Sequence, residues 1–396
     1  MPSSSPGSRY DAVVVGGGHN GLVAAAYIAG AGRSCLVLER REALGGAAVS
    51  AHAFPGFDAC ISRYSYLVSL LPSLILGELG LSVALAQRRV SSYTPDPRVG
   101  GRRGLFVDRE DRAATRASFR AVTGGDGEHA AWEEFYAMTR RIARAVFPTL
   151  TEPLRSRAQL RALVDDDAAW EAVFENPLGD VISRGFADDL VAGVVLTDAL
   201  IGTFAAADDT DLRQNRCFLY HVIGGGTGDW QVPIGGMGSL SSGLAHAAGA
   251  AGAELCTRAE VLGLAPDADA VEVRFTDGAG EFVVRAGHVL VNAAPAELAR
   301  LLVSRPDRSP EGAQLKVNLL LARLPRLKDS TVAPERAFAG TFHVNETAEQ
   351  LQRAHDEAAG GDIPSLPPCE TYCHSLTDPT ILGPTLCAQG FHTLTI

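Results

Sequence analysis

Apolar positions along the chain fall into three kinds of run. Short, nearly unbroken runs occur at 12–15 (AVVV), 35–38 (CLVL) and 288–292 (HVLVN). They have the length of strands and no polar alternation, the pattern of parallel strands covered on both faces. Alternating runs meet at Thr276-Asp277-Gly278, where 271–275 and 281–284 predict a hairpin, and a glycine-rich turn within 95–107 predicts another. Helical spacing extends over 22–31, 110–122, 126–147, 154–163, 170–175, 186–201 and 346–358. Gly32 stops the first of these, and Asp126 and Pro148 bound the third as N-cap and terminator. On that third helix Trp132, Phe135, Tyr136, Ile142 and Val146 form a broad apolar stripe, which reads as core. Segments 253–256 and 259–264, then 315–321, 338–344, 371–375 and 385–389, read as strands.

The first strand runs straight into Gly16-x-Gly18-x-x-Gly21, and a helix follows at once. Gly16 permits the tight turn, Gly18 lets a pyrophosphate approach the backbone, and Gly21 allows close packing of helix on strand. The helix N-terminus then offers free N–H groups to an anion. Glu39 lies 18 residues after Gly21, at the tip of the second strand, where a carboxylate can accept from both ribose hydroxyls. That carboxylate would repel a 2'-phosphate, so NADP is not expected despite Arg40 and Arg41. NAD and FAD share this half-site. Gly45-Gly46, six residues after Glu39 and followed by the small residues Ala47, Ala48 and Ser50, supplies a second close-approaching loop suited to a longer dinucleotide, which favours FAD.

Three segments, GGGHNGLVAAAYIA, VLERREALGGAAVS and the FPGF at 54–57, resemble the phytoene-desaturase-like branch of the FAD-dependent amine oxidase superfamily. Within it, the chain is most similar to the group named pyridine nucleotide-disulphide oxidoreductase domain-containing protein 2. The resemblance implies non-covalent FAD and redox chemistry at the flavin. Cofactor contacts are then expected from Gly16, Gly18, Gly21, Glu39, Arg40, Gly45, Gly46 and Ala47. A PxGGMGxL segment with Gly235, Gly236 and Met237 matches a family element that adjoins the flavin, and the resemblance puts the backbone of Val261 at the adenine edge. Ser62, Arg63, Tyr64 and Trp230 are looser candidates for a pocket wall. Lys316, within the apolar run LKVNLLL, matches the lysine that in amine oxidases holds a water beside flavin N5. An amine whose pKa is lowered by burial suits that role, and an edge-strand lysine facing solvent is the equal alternative.

The expected fold class is α/β: a Rossmann-like FAD-binding domain made of 1–67 and 228–303, with a discontinuous α+β substrate domain made of 68–227 and 304–396, the former a helical cap. A chain of 396 residues exceeds what one core usually serves. The family pattern also implies a further C-terminal segment that meets the flavin pyrimidine, and none of this sequence matches it. The expected function is transfer of a hydride from an apolar or amine-bearing small molecule to flavin N5. The alternative is an impaired or truncated member, or a binding protein on the same fold, as Rab GDP-dissociation inhibitors are within the superfamily.

Composition narrows the partners. With 35 basic and 46 acidic residues the net charge is −11, which argues against nucleic acid and anionic membranes as main partners. Seven scattered cysteines and no secretory leader point to reduced thiols in the cytoplasm. Cys369, Cys373 and His374 have no second half-site at ligand spacing, so no metal is expected. The most apolar stretch, 67–81, is interrupted by Pro72 and Glu78 and is too short to span a bilayer. It is expected to be a buried wall of the substrate domain, with peripheral membrane contact as the second reading.

Overall fold

The structure is a computed structural model that describes residues 8–304 and 314–396. The chain divides into two compact units: Met1–Leu67, Ser73–Leu85 and Pro233–Glu311 form one, and Val68–Pro72, Ala86–Val232 and Gly312–Ile396 the other.

In the first unit a six-stranded sheet runs in the order Glu260–Pro266, Val271–Thr276, Glu281–Val291, Arg9–Val15, Cys35–Glu39, Glu254–Thr257. The last four strands are parallel, and the first three form an antiparallel meander on one edge. The unbroken apolar runs are explained by burial on both faces. Val13, Val15, Leu36 and Leu38 meet Val273 and Phe275 on one side. On the other, Val14, Cys35 and Val37 pack against Ala25, Ala26 and Ala29 of the helix His19–Gly30 and Ala248 of the helix Met237–Ala250. The two strands expected at 281–284 and 288–292 are one strand, Glu281–Val291. Its first half pairs with Val271–Thr276 and its second with Arg9–Val15, and the ladder changes sides at Arg285 and Ala286 without a break.

The apolar stretch 67–81 is not one buried wall: Val68 and Ser69 are buried in the second unit, but the rest is not. Residues 73–85 belong to the first unit, and the short helix Ser73–Glu78 buries none of its residues, with Leu74 52% exposed. Pro72 and the glycines at 77 and 80 leave it too short to form a packed face. Among the described residues no helix is long and apolar enough to cross a membrane.

The second unit has a sheet in the order Asn318–Leu321, His392–Thr395, Cys369–Tyr372, Thr341–Val344, Val90–Pro95, Gly104–Asp108. The helices Arg112–Thr123, Gly127–Val146, Leu178–Gly185, Asp189–Leu200 and Arg213–Val222 share a core that includes Phe119, Trp132, Ile142, Trp170, Leu190 and Phe218. Asp126 occupies the N-cap position of Gly127–Val146 but makes no side-chain cap, because its carboxylate is held by Arg116 at 2.8 Å and by Arg120. The strand expected at 385–389 is instead the helix Pro384–Ala388. Pro384 stands in its first turn, where the missing N–H costs nothing.

Candidate functional site

The cradle of the first unit is built from backbone. Gly16 ends the strand Arg9–Val15 with φ +99°, and a Cβ there would lie 2.5 Å from the Asn292 carbonyl oxygen. A Cβ at Gly21 would stand 2.4 Å from the Gly16 carbonyl oxygen and 2.8 Å from Asn292 Nδ2. Gly18 is looser, with Asn292 Nδ2 at 3.0 Å from a would-be Cβ. Gly18 is also the N-cap of His19–Gly30, which has no side-chain cap and no acidic residue in its first turn. The leading N–H groups and the positive dipole end are therefore left for an anion. His19 Nδ1 is buried with no partner among the described residues, and burial lowers its pKa.

The second glycine pair joins the first. Gly45 N–H donates to the Gly17 carbonyl at 2.8 Å, Gly18 and Gly45 form a parallel bridge, and a Cβ on Gly46 would lie 2.9 Å from Gly18 Cα. Glu39 is buried. Its Oε2 accepts from Gly17 N–H at 2.8 Å and its Oε1 from Arg41 N–H at 2.9 Å. Gly235 and Gly236 lead into Met237–Ala250, whose first N–H groups are already satisfied. Met237 N–H donates to Ser62 Oγ at 3.0 Å and Gly238 N–H to Ser50 Oγ at 2.9 Å. Ser241 of the same helix would meet a Cβ on Gly45 at 2.7 Å, so this helix abuts the second glycine pair. Val261 is buried, its carbonyl accepting from Arg300 at 3.3 Å, and its segment is tied to the cradle where Ala259 N–H donates to the Glu39 carbonyl. Arg40 and Ala47 are exposed.

The second unit holds a different constellation. Strand register puts His343 directly opposite Glu370, and places Thr341 beside Tyr372. Period-two alternation then divides the sheet. One face carries Thr94, Thr341, His343, Glu370 and Tyr372, while Tyr93, Phe338 and Phe342 stack together, Tyr93 on Phe342 at 5.5 Å and Phe338 on Phe342 at 4.5 Å. On the polar face Thr94 Oγ1 and His343 Nδ1 are 2.7 Å apart, and Arg88 donates to Thr341 Oγ1 at 3.2 Å and lies over the Tyr372 ring. The buried helix Asp189–Leu200 adds Thr197, which donates to Glu346 Oε2 at 2.6 Å, and Asp198. Gly193 of that helix lets it approach, since a Cβ there would fall 2.1 Å from the Glu346 carbonyl oxygen. Burial, then the charge of Asp198, pushes Glu370 up to about 8, against the pull of Arg88. Burial, then Glu370, drives Glu346 well above the carboxylate range. Burial and Arg88 hold His343 down at about 3.

Lys316 stands two residues before the strand Asn318–Leu321, not inside it, although Val317 exchanges both backbone hydrogen bonds with Ile396 at 2.8 Å. Leu315 is 86% exposed and Val317 is exposed, so alternation turns Lys316 to the sheltered side, where it is half-buried. Burial pushes its ammonium down to about 8. Burial, then Arg88 and Lys316, lower His374 to about 3, which links the lysine electrostatically to the polar face.

Residues 21–322 match the family described as flavin containing amine oxidoreductase. The chain belongs to that family. An uncharacterized protein of Mycobacterium tuberculosis is 51% identical over 399 residues, covering 98% of this chain and 73% of the relative. The pyridine nucleotide-disulfide oxidoreductase domain-containing protein 2 of Rattus norvegicus is 30% identical over 439 residues, with the same coverage. Among solved structures, putrescine oxidase bound to putrescine superposes with a TM-score of 0.58 at 17% identity, covering 98% of this chain and 75% of that one, a likeness of fold.

Three side chains that hold the cradle lie outside its glycine positions. Asn292 closes the glycine turn through Nδ2, donating to the Gly16 carbonyl at 3.0 Å. Its signal is a polar residue ending an otherwise apolar strand, HVLVN. Ser50, the last residue of the VLERREALGGAAVS segment, and Ser62, a pocket-wall candidate, are cross-strand partners in a short ladder, and the role the sequence did not predict for them is capping Met237–Ala250. The polar face of the second unit has only a faint signal, alternating polar positions in short strands.

Proposed function

We propose that the chain is an FAD-dependent oxidoreductase of desaturase or oxidase type, moving a hydride from an apolar or amine-bearing small molecule to flavin N5. The observation that carries this reading is the joined glycine surface, where a Cβ at Gly16, Gly21 or Gly46 would meet backbone within 3 Å. Beside it stand an uncapped helix N-terminus and an orphaned His19 Nδ1. That donor set suits a diphosphate, and Glu39 at the strand tip suits a ribose without a 2'-phosphate. FAD, when bound, supplies the two-electron acceptor. Gly16, Gly18, Gly21, Gly45 and Gly46 present backbone to it, while Ser50 and Ser62 hold the Gly235–Gly236 turn in place. Lys316, with its ammonium poised near neutrality, is the proton-handling residue. It can hold a proton at Nζ below about pH 8 and release it above.

The test is an FAD titration followed in the visible, then an anaerobic screen of amines and apolar compounds for bleaching of the flavin band. One FAD per chain with substrate-dependent bleaching is the expected result. Saturable NAD binding without FAD uptake would overturn the cofactor assignment. FAD uptake with no bleaching by any compound of either class would overturn the assigned activity.

A further inference from the structure

We propose that His343, Glu346 and Glu370 form a binding site for a divalent first-row transition cation within the second unit. One candidate ligand atom from each of the three lies within 4.8 Å of the others. The site goes beyond the flavin reading and uses none of the cradle.

Register and local sequence assemble it. His343 and Glu370 face each other across paired strands. Glu346 follows three residues after His343, just before the N-cap of the helix Ala348–Ala359, and its Oε2 is 3.9 Å from His343 Nδ1. His343 is 4% exposed and Glu346 3%, while Glu370 is half-buried and leaves a way in. Each group also has an outer partner of the kind that orients metal ligands. Thr94 holds His343 Nδ1, Thr197 donates to Glu346, and the Tyr372 hydroxyl donates to Glu370. The Nδ1 side of the His343 ring carries both recorded contacts, Thr94 Oγ1 at 2.7 Å and Glu346 Oε2 at 3.9 Å, and Thr94 fixes the orientation of the ring.

Ionised carboxylates in a sheltered site are costly unless they are paired or bind a cation, so a dication entering here would displace the protons of Glu346 and Glu370 and take their place. One imidazole nitrogen with two carboxylate oxygens suits zinc, cobalt, manganese or ferrous iron better than calcium or magnesium, which take oxygen alone. Sequence spacing hides the site because its ligands lie on two strands and a loop.

Cobalt(II) is the probe. The full chain, treated with chelator and dialysed, is titrated with Co2+ while ligand-field absorption and calorimetric heat are recorded. One Co2+ per chain is expected, with affinity at least about tenfold weaker in Glu370→Gln and lost in His343→Ala. Thermal unfolding of both variants is recorded alongside. Glutamine matches glutamate in volume and Glu370 is only half-buried, so the proposal stands or falls on E370Q if H343A does not fold. The proposal is overturned if the folded wild type takes up no Co2+ at a hundredfold excess, or if E370Q binds it as tightly as the wild type. It is equally overturned if infrared spectra of the Co2+-treated wild type show Glu346 and Glu370 still carrying protons.

Discussion

In the first unit the candidate site is made of missing atoms, and in the second it is made of added charge. At Gly16, Gly21 and Gly46 the backbone is so close to its neighbours that a single methyl carbon has no room. Around His343, Glu346 and Glu370 the side chains are all present, and their separation is governed by hydrogen bonds and by unfavourable burial. The two sites should therefore fail differently. A site shaped by contact is brittle to volume and nearly indifferent to pH. One shaped by buried ionisable groups accepts replacement at equal volume but changes with proton and cation concentration.

The largest effect is expected from Gly21→Val, which drives a Cβ and two methyls into the Gly16 carbonyl and Asn292. FAD affinity should fall more than about a hundredfold, with about 1–3 kcal/mol lost from overpacking. FAD titration and urea unfolding measure the two, and wild-type FAD affinity in G21V would show that the cradle is not sterically tight. Lys316→Met should leave FAD affinity unchanged and slow flavin turnover by about a hundredfold, the scale of general acid–base catalysis. Turnover unaffected by this change would remove Lys316 from the chemistry. Glu39→Ala removes the carboxylate proposed to accept from the ribose hydroxyls, and it also strips the partner from two N–H donors of the turn, Gly17 and Arg41. At about 1.5–3 kcal/mol for hydrogen bonds to a charged group, losing the ribose bonds should weaken FAD binding by roughly tenfold or more, whereas losing the turn bonds is read from urea unfolding. An unchanged affinity would mean that Glu39 serves the turn and not the ribose.

The electrostatic region is tested by pH. Glu370 in the folded chain titrates near 8, above the usual 4.5, so between those values the folded state holds a proton that the unfolded chain has released. Its contribution to stability is complete below about 4.5 and is lost as pH rises towards 8. His343 and His374 act oppositely. Their lowered pKa values near 3 mean that stability is lost as pH falls below 6.5. Cation-free protein should therefore lose melting temperature between pH 6.5 and 8.5, and Glu370→Gln should reduce that slope. Equal slopes in the two proteins would show that Glu370 titrates normally.

The contrast also explains what is legible in the sequence. The cradle is legible because strand, glycines, helix and acidic tip are contiguous, and each step of spacing is a step of geometry. Parts held from a distance are not, such as Asn292 on Gly16 and Ser50 and Ser62 on the helix Met237–Ala250. The polar face is invisible for a stronger reason. Thr94, Asp198, His343 and Glu370 meet only through register between strands and the approach that Gly193 allows, neither of which has a local signature. The segment 67–81 misleads because apolar content suggests burial, whereas a helix of Ser73–Glu78 has too few turns to present a covered face.

The smallest effect should come from Asn292→Ala, and it sharpens the comparison most. Asn292 holds the cradle in two ways: its backbone N–H donates to the Val15 carbonyl at 2.8 Å, and its Nδ2 donates to the Gly16 carbonyl at 3.0 Å. Alanine keeps the first bond and the carbonyl against which Gly16 is packed, and removes only the second. One neutral hydrogen bond at a half-buried site is worth about 0.5–1.5 kcal/mol, so FAD affinity should drop less than about tenfold, well short of Gly21→Val. Asn292→Asp has the same size but turns the donor into an acceptor facing the Gly16 carbonyl, and should cost more than alanine. That order, valine at 21 far above aspartate and then alanine at 292, is what a cradle held by shape requires. If N292A proved as damaging as G21V, the glycine turn would be held by one side chain instead, and the first unit would differ from the second in composition but not in kind.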